Sequence, residues 1–373
     1  MDYLYISIAA AFFICFLVQL YFILVVHRKL AVFRIPDSLV DSNLNDPVSV
    51  IICARNEIEN LKTNLISFLE QDYPEFEIVV VNDCSNDGSD WYLRDISARF
   101  KRLKVVTIED HPRFKHGKKF AVTLGIKAAK YENLLFTDAD CIPASDQWIK
   151  LMQRNFSDQT EIVLGYSPYH SKSGILNRFL RFETFVTALN YLSYAILGDP
   201  YMGVGRNMGY KKSLFFRGKG FASHMHILSG DDDLFVNQNA NATNTSIEIH
   251  PDTHIWSEPK TSISAFISQK MRHQGAGKAY KTKHKRMLSI QFLSGILFYV
   301  FLGLLLAIKA DWWLTASVYG IRLLVQILVY TPSLKKLKYI DLVWFLPLFD
   351  IIYYIYIMLL SFLSFFRKKV EWK

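Results

Sequence analysis

The chain has 373 residues, a formal net charge of +9 and an apolar fraction of 51%. Its mean hydropathy of +0.14 is high enough to argue against a purely soluble protein. The basic balance does not require nucleic acid, because the cations cluster beside apolar segments, where anionic lipid headgroups explain them. They also lack the interleaved aromatic residues of a nucleic-acid groove, so a nucleic-acid-binding protein is the least favoured class.

Apolar segments at the two ends of the chain are long enough to cross a membrane. The first, residues 3–26, contains no charged residue and is followed by His27-Arg28-Lys29. Asp2 stands before it where a cleaved signal would have a basic region, so we expect a membrane anchor. Three further apolar segments follow the central part of the chain: residues 290–308, 312–330 and 339–366.

The cations predict the orientation of these segments. His27-Arg28-Lys29 and the basic run at residues 278–286 both flank the central domain, which is therefore expected in the cytosol, against the inner or plasma membrane. The last segment contains Pro347 and Asp350, so it is expected either to cross or to form a re-entrant segment or short hairpin. Arg322 is costly in lipid and is expected to face protein or a polar cavity, with lipid-headgroup binding as the alternative.

Between the apolar ends, short apolar strands alternate with helical patterns. Residues 48–54, 77–81, 103–108 and 133–137 are the predicted strands, and residues 118–130 form a predicted helix. This alternation predicts an α/β domain with a doubly wound, mainly parallel sheet, in which ligands bind beyond the carboxyl ends of the strands.

Polar residues follow three of these predicted strands. Asp138 and Asp140 come at the end of the fourth strand, and residues one apart on an extended backbone project to the same side. Two such carboxylates can hold one divalent cation, although the tripeptide alone is also common in solvated loops. Arg55-Asn56-Glu57 and Asp83 end the first and second strands. Three polar strand ends at one edge of a sheet predict a shared binding site.

Short polar motifs continue in a fixed order along the domain. Those of the first half are Cys53-Ala54-Arg55-Asn56-Glu57, Gln71-Asp72-Tyr73-Pro74, Asn82-Asp83-Cys84-Ser85-Asn86-Asp87-Gly88-Ser89, Gly117-Lys118 and Asp138-Ala139-Asp140. Those of the second half are Gly205-Arg206-Asn207-Met208-Gly209-Tyr210-Lys211-Lys212-Ser213, Gly230-Asp231-Asp232-Asp233-Leu234 and Gln269-Lys270-Met271-Arg272-His273.

In this order the motifs resemble those of family 2 glycosyltransferases with a GT-A fold, of the membrane-integrated bacterial type. The resemblance implies an N-terminal transmembrane helix at residues 1–30, a glycosyltransferase domain at 46–285 and a C-terminal transmembrane region at 287–373. It implies an inverting enzyme that moves a sugar from a nucleotide-diphosphate sugar, expected to be a UDP-sugar, to a hydroxyl of a lipid, lipid-linked or glycan acceptor.

The resemblance also implies roles on the donor side. Asp140 would bind Mg²⁺ or Mn²⁺, and Asp138 would share the metal or reach the ribose, since a hard cation prefers carboxylate and phosphate oxygens. Asp83 would accept a hydrogen bond from uracil. Lys118 would lie near the diphosphate. The remaining donor-side residues implied are Ala54, Asn56, Glu57, Gln269 and Arg272.

The acidic run is expected to supply the general base that takes the proton of the acceptor hydroxyl. Close like charges should raise at least one pKa there, which suits a base near neutral pH. Alignment on Leu234 favours Asp231, whereas a gap-free alignment with Asn237 in register favours Asp232, so both remain candidates. The acceptor-side residues implied are Gly205, Asn207, Asp233 and His273.

His273 stands where the family has a tryptophan that caps the acceptor site. The smaller, polar imidazole favours transfer of one sugar over processive polymer synthesis. A processive synthase of the same family is the main alternative, followed by an inactive membrane receptor for nucleotide or sugar. A nucleotidyltransferase is disfavoured because the loop after the first strand, Arg55-Asn56-Glu57, has no glycine to approach phosphates.

Overall fold

The computed structural model of the protein describes residues 2–36, 46–109, 117–227, 229–309 and 311–366, without the side chains of residues 2, 272–274 and 364–366. Its helices are α1 Asp2–Tyr21, α2 Arg28–Val32, α3 Ile58–Leu69, α4 Ser89–Arg99, α5 Lys118–Ala128, α6 Trp148–Gln153, α7 Ile175–Ile196, α8 Lys212–Arg217, α9 Asp233–Asn239, α10 Ile263–Gly277, α11 Thr282–Ala307, α12 Trp312–Lys336 and α13 Leu346–Phe366. A π-helical segment, Phe22–His27, joins α1 to α2.

A seven-stranded sheet forms the centre of the domain. The strands are β1 Val48–Ala54, β2 Phe76–Asp83, β3 Leu103–Ile108, β4 Asn133–Asp138, β5 Cys141–Pro143, β6 Ile162–Leu164, β7 Met208–Lys211, β8 Thr245–Ile247 and β9 Ile255–Ser257. The order across the sheet is β3-β2-β1-β4-β7-β6-β8, while β5 and β9 pair separately. The first four are parallel and β7 is antiparallel to both neighbours. The predicted mainly parallel sheet is confirmed.

Helices cover both faces of the sheet. β1 is apolar except for Ser49 and is buried along nearly its whole length, as a strand covered on two sides should be. On one face α3 buries Leu61, Leu65 and Phe68, which share one side of the helix. On the other face α5 lies close to β1, because a Cβ at Gly125 would stand only 2.7 Å from Ile51 Cγ2. These layers align the carboxyl ends of β1, β2 and β4 at one edge.

Among the described residues, four helical segments are long and apolar enough to cross a membrane: Tyr3–Val32, Thr282–Ala307, Trp312–Lys336 and Ile340–Leu363. One precedes the domain and three follow it, as predicted. The last segment contains one unbroken helix, α13, rather than a hairpin. Pro347 lies in its first turn, where the missing N–H breaks no helical hydrogen bond.

A group of polar side chains is buried among these four helices. Arg322 Nη1 contacts Asp350 Oδ2 at 2.8 Å, and Arg322 Nη2 donates to Gln19 Oε1 at 3.1 Å. Arg322 is 1% exposed, so the expectation that it faces protein is confirmed. Because these groups have no water to bond in a bilayer, each depends on the others. We call Gln19, Tyr299, Arg322, Gln326, Asp350 and Tyr354 the intramembrane polar cluster.

Helix α7 joins the domain to the membrane helices. Asn190 Oδ1 accepts from Gln291 of α11 at 2.6 Å and contacts His27 at 3.2 Å. At the other end of α7, Arg181 makes a bidentate pair with Asp341 at 3.0 and 2.6 Å. Bidentate geometry fixes orientation as well as distance. The domain is therefore held in a defined position against the membrane helices.

Candidate active site

The polar strand ends meet in one cavity of about 660 Å³. Of the residues predicted from sequence, the cavity is lined by Ala54, Glu57, Asp83, Lys118, Asp138, Asp140, Gly205, Asp231, Asp232, Asp233 and Gln269. They come from the ends of three parallel strands, the start of α5, the loop before β7, the acidic run and α10. The predicted convergence beyond the sheet is therefore present in the structure.

Asp138 is the last residue of β4, and Asp140 follows after the buried Ala139. Asp138 Oδ1 accepts a hydrogen bond from Lys118 at 2.8 Å. Among the described residues, Asp140 Oδ1 accepts a hydrogen bond from the weak S–H donor of Cys141, at 3.4 Å. Burial raises the pKa of Glu57, and the carboxylates of Asp140 and Asp138 raise it further. Three acidic side chains thus concentrate negative charge at this end of the cavity.

Two of these carboxylates fit a divalent cation that arrives with phosphate. Asp138 and Asp140 both line the cavity, and hard cations prefer oxygen ligands. Within the described part of the chain, no group of three or more His, Cys, Asp or Glu side chains is arranged to hold a metal by itself. The remaining ligands would therefore have to be phosphate oxygens and water, as Mg²⁺ commonly has in phosphate sites.

Lys118, the first residue of α5, lies between the acidic pair and the acidic run. Its Nζ is 2.8 Å from Asp138 Oδ1 and 3.3 Å from Asp231 Oδ2. Burial alone would lower the pKa of Lys118, but Asp138 and Asp231 outweigh it and hold the pKa well above its usual value. Lys118 therefore remains charged and links the donor end of the cavity to the acidic run.

The acidic run begins after a glycine whose backbone no other residue adopts easily. Gly230 has a φ of +96°, and a Cβ there would come 2.5 Å from Leu234. Asp232 then caps the N-terminus of α9: its Oδ1 accepts from the N–H of Asp233 at 2.7 Å. Its Oδ2 accepts from the N–H of Gly205 at 2.8 Å. Both oxygens of Asp232 are thus engaged by the backbone.

The neighbours of Asp232 have different surroundings. Burial raises the pKa of Asp231, which Lys118 partly offsets. Asp233 accepts hydrogen bonds from Tyr280 Oη at 2.8 Å and from its neighbour's N–H at 2.7 Å. Burial and the adjacent Asp232 raise the pKa of Asp233 to about 8. Asp231 is the member paired with a cation, Lys118 at 3.3 Å, whereas Asp232 and Asp233 accept hydrogen bonds from neutral groups of the protein.

The end of β2 contributes a buried carboxylate. Asp83 lies opposite Arg55, with 4.0 Å between Oδ2 and Nη1, and its side chain is 3% exposed. Asn56 behaves differently, because its side chain holds the two strand-end loops together rather than lining the cavity. Its Oδ1 accepts from the N–H of Asn86 at 2.9 Å, and its φ is +56°. A short polar residue tolerates this left-handed conformation better than most.

Asn207 lies behind the cavity instead of on its surface. It is fully buried; Nδ2 donates to the carbonyls of Tyr166 and Thr253, both at 2.7 Å, and Oδ1 accepts from Trp148 at 3.0 Å. With these bonds made, Asn207 can position the segment that contains Gly205, two residues earlier, but it is buried away from an acceptor in the cavity. Gln269 lines the cavity, whereas the side chains of Arg272 and His273 lie outside the described residues.

Several lining residues have no signal in the sequence. Tyr280 bonds Asp233, and Arg206 donates to Ser257 Oγ at 2.5 Å while lying 4.9 Å from the ring centre of Tyr169. Arg206 could have been suspected from its place inside the Gly205-x-Asn207 motif, but Tyr280 follows no motif. Residues of α7 and of the membrane helix α13 also line the cavity, and only tertiary packing could have revealed them: Glu183, Thr184, Thr187, Ala188, Tyr353, Tyr356, Ile357 and Leu360.

Residues 49–217, which contain the three strand ends and Lys118, match the family model described as Glycosyl transferase family 2. The chain carries a family 2 glycosyltransferase domain. Among curated relatives, it is 30% identical over 141 residues to a poly-beta-1,6-N-acetyl-D-glucosamine synthase of Staphylococcus epidermidis, covering 36% of this chain and 32% of that protein. It is 35% identical over 105 residues to glycosyltransferase AglE of Haloferax volcanii, covering 28% and 33%.

These matches span about a third of the length of those two relatives. A solved structure matches more of the glycosyltransferase chain: a mannosyltransferase of Pyrobaculum calidifontis in complex with GDP-Man and Mn²⁺. The TM-score is 0.57 at 18% identity, over 91% of this chain and 95% of that one. At this identity the likeness concerns the fold, and the predicted GT-A fold with flanking membrane helices is confirmed.

Proposed function

We propose that the protein is a membrane-bound, inverting glycosyltransferase that moves one sugar from a nucleotide-diphosphate sugar to an acceptor hydroxyl. The observation that carries the proposal is the cavity in which Asp83, Lys118, Asp138 and Asp140 face the acidic run. A nucleotide diphosphate has a base, a ribose and two phosphates, and these four residues offer partners for each part. The positive charge of Lys118 and of a metal ion at Asp138 and Asp140 would stabilise the negative charge that develops on a departing diphosphate.

We assign the general base to Asp231. Both oxygens of Asp232 accept backbone hydrogen bonds, which hold the carboxylate in place. Asp231 instead contacts the Lys118 ammonium at 3.3 Å, and burial raises the pKa of Asp231. The acceptor oxygen bonds to the anomeric carbon as the bond from that carbon to the diphosphate breaks. The hydroxyl proton passes to Asp231, and the diphosphate leaves with the electron pair.

We assign Asp140, with Asp138, to Mg²⁺ or Mn²⁺. When bound, the ion would neutralise charge that develops on the diphosphate. Lys118 would supply a second positive charge there, and Asp83 would accept from the base of the nucleotide, which favours a UDP-sugar. Gln269 and Glu57 complete the donor side, and Arg272 remains a proposed diphosphate contact. The solved mannosyltransferase was seen with GDP-Man and Mn²⁺, which supports this class of donor and ion.

The domain is proposed to lie on the cytosolic side of the inner or plasma membrane. Nucleotide sugars are made in the cytosol, so the donor would be available there. The alternative function is a processive polysaccharide synthase. It is supported by the similarity to the Staphylococcus epidermidis relative, which is described as a poly-beta-1,6-N-acetyl-D-glucosamine synthase. His273 in place of tryptophan favours a single transfer. An inactive membrane receptor for nucleotide or sugar is disfavoured by a candidate base and a candidate metal pair in one cavity.

The deciding experiment is a donor screen with the purified full-length protein. We expect one nucleotide sugar to raise the thermal midpoint, and to do so more strongly with Mn²⁺ or Mg²⁺ than with EDTA. Asp140→Asn should remove the metal-dependent part of the shift. A protein that gives no shift with any nucleotide sugar, and releases no nucleoside diphosphate from any of them, would refute the proposal.

A further inference from the structure

The cavity that holds the candidate catalytic residues does not end in the cytosolic domain. Its lining continues from the acidic run to α13, which belongs to the apolar segment Ile340–Leu363. We propose that the acceptor is an amphipathic lipid whose uncharged hydroxyl reaches Asp231 while its hydrocarbon chain lies along α13. This inference rests on the proposed glycosyl transfer and names its acceptor class.

The face that α13 turns to the cavity follows helical spacing. Tyr353, Tyr356, Ile357 and Leu360 stand at positions i, i+3, i+4 and i+7, which lie on one side of a helix. The opposite side is the outer surface of the helix bundle and is about half exposed: Ile355 47%, Met358 49%, Leu359 52% and Phe362 61%. One helix therefore separates the catalytic cavity from the lipid phase, and an apolar chain finds apolar partners on its inner face.

Two polar groups of the cavity lining, one on the inner face of α13 and one on α10, are suited to a headgroup. Tyr356 Oη and Gln269 Oε1 are buried and have no hydrogen-bond partner among the residues that the structure describes. Buried polar atoms of this kind normally have a partner, so a ligand or water is expected there. A carbonyl oxygen needs a donor, and a hydroxyl headgroup supplies one whereas an ionised phosphate does not.

The charges of the cavity also favour an uncharged headgroup, because its described lining holds eight carboxylates against five lysine and arginine side chains. Lys270 lies 5.5 Å from the ring of Phe266, which stacks on Tyr356. Its Nζ is 2.5 Å from Glu183 Oε2, so this cation is already neutralised. Beyond it lie Asp231 and its acidic neighbours, which would repel a phosphate that, unlike the donor diphosphate, arrives without a metal ion. A hydroxyl acceptor also explains the need for a base, because a phosphate oxygen is already deprotonated at neutral pH.

In the transfer, the lipid oxygen bonds to the anomeric carbon as the sugar–diphosphate bond breaks. The lipid proton goes to Asp231, and the nucleoside diphosphate is released with the bonding electrons. The glycosylated lipid can return to the bilayer along the inner face of α13. No part of the product then has to cross the intramembrane polar cluster, which agrees with a single addition.

A photoreactive lipid tests the site without turnover. The probe is a diacylglycerol bearing a diazirine near its hydroxyl end, added in phosphatidylcholine vesicles to the full-length protein. We expect labelling of the α7 stretch that contains Thr184, Thr187 and Ala188, since these line the cavity but are not on the outer surface. Leu360→Trp, which fills the inner face, should reduce this labelling at least tenfold, whereas the neighbouring Leu359→Trp on the outer face should not.

Turnover distinguishes this inference from the proposed function. With the donor found by the screen, radiolabelled sugar should enter the organic phase with diacylglycerol vesicles, and Leu360→Trp should lower that transfer at least tenfold with donor binding unchanged. Equal labelling and transfer in Leu360→Trp and Leu359→Trp would overturn the lipid route even if the protein is a glycosyltransferase. Preferential transfer to a polyprenyl phosphate would overturn the hydroxyl assignment, and transfer only to water-soluble oligosaccharides would overturn the whole inference. If the wild-type protein bound no nucleotide sugar at all, the proposed function itself would be refuted.

Discussion

The two candidate bases should separate when each is changed to asparagine. Asparagine keeps the size of aspartate and its carbonyl oxygen but cannot take a proton at neutral pH. In Asp231→Asn the fold loses only one of two carboxylates on Lys118, because Asp138 remains 2.8 Å away. A general base contributes about 10² to 10⁴ in rate, so kcat should fall by that factor, or about 3 to 5 kcal/mol.

Asp232→Asn should have the opposite profile. The wild-type carboxylate accepts two backbone N–H bonds, from Gly205 and Asp233. An asparagine can accept one of them and turns an N–H₂ group toward the other donor. The loss of a cap and of one charge-assisted bond should cost about 1 to 3 kcal/mol of unfolding free energy. The rate effect should then be smaller than in Asp231→Asn and should accompany a lower thermal midpoint.

The assay combines three measurements on each variant: single-turnover transfer, donor affinity by calorimetry and the thermal midpoint in the same detergent. Asp231→Asn is expected to keep donor affinity and midpoint while losing the chemical step. The assignment is wrong if Asp231→Asn turns over normally, or if Asp232→Asn loses the chemical step with its stability intact. Wild-type rates in both would remove the acidic run from the mechanism.

Four further predictions concern the same cavity. Lys118→Met should raise the pKa of Asp231, since Lys118 lowers it, and should move the acidic limb of the kcat profile to higher pH; an unmoved limb contradicts the pairing. Asp140→Asn should abolish turnover and the part of donor affinity that Mn²⁺ adds, seen by calorimetry with and without Mn²⁺; retained activity would exclude Asp140 as a ligand. The pKa of Asp233 is higher in the folded protein, about 8, than in the unfolded chain, about 4. Its contribution to the free energy of unfolding is therefore complete at low pH and is lost as the pH rises from about 4 toward about 8. Asp233→Asn should therefore raise the thermal midpoint relative to wild type more at pH 8.5 than at pH 5, and equal differences would be evidence against a raised pKa. Chromatography of the product should show one added sugar, and a ladder of lengths would indicate a processive enzyme.

The sequence predicted the sheet and its polar edge well because both depend on local patterns. The first strand has the predicted bounds, residues 48–54, since a run that is apolar except for Ser49 and flanked by polar residues can hardly be assigned in another way. Asp83, Asp138 and Asp140 reached one cavity because parallel strands end at the same edge. Membrane segments were equally readable, since length and hydropathy decide them.

What the sequence could not predict depends on contacts between distant segments. Asn207 belongs to a motif associated with the acceptor side, yet it is fully buried by Tyr166, Thr253 and Trp148, which no local pattern reveals. Two alignments of the acidic run favour different residues, Asp231 in one and Asp232 in the other. The structural argument between them depends on the N–H of Gly205, which bonds Asp232 from 27 residues earlier in the chain. The part of α13 in the cavity is likewise a matter of packing alone.

The intramembrane polar cluster also has a consequence for how the protein is made. Gln19 and Arg322, which share a hydrogen bond, are separated by 303 residues. At ribosomal rates of about 5 to 20 residues per second, the first helix waits on the order of 15 to 60 s in the bilayer before α12 is synthesised. During that interval its buried amide must be satisfied by water, lipid headgroups or the insertion machinery. The domain between the apolar segments can therefore fold while tethered at one end only, and nascent chains stalled before Asp350 should be preferred substrates of membrane quality control.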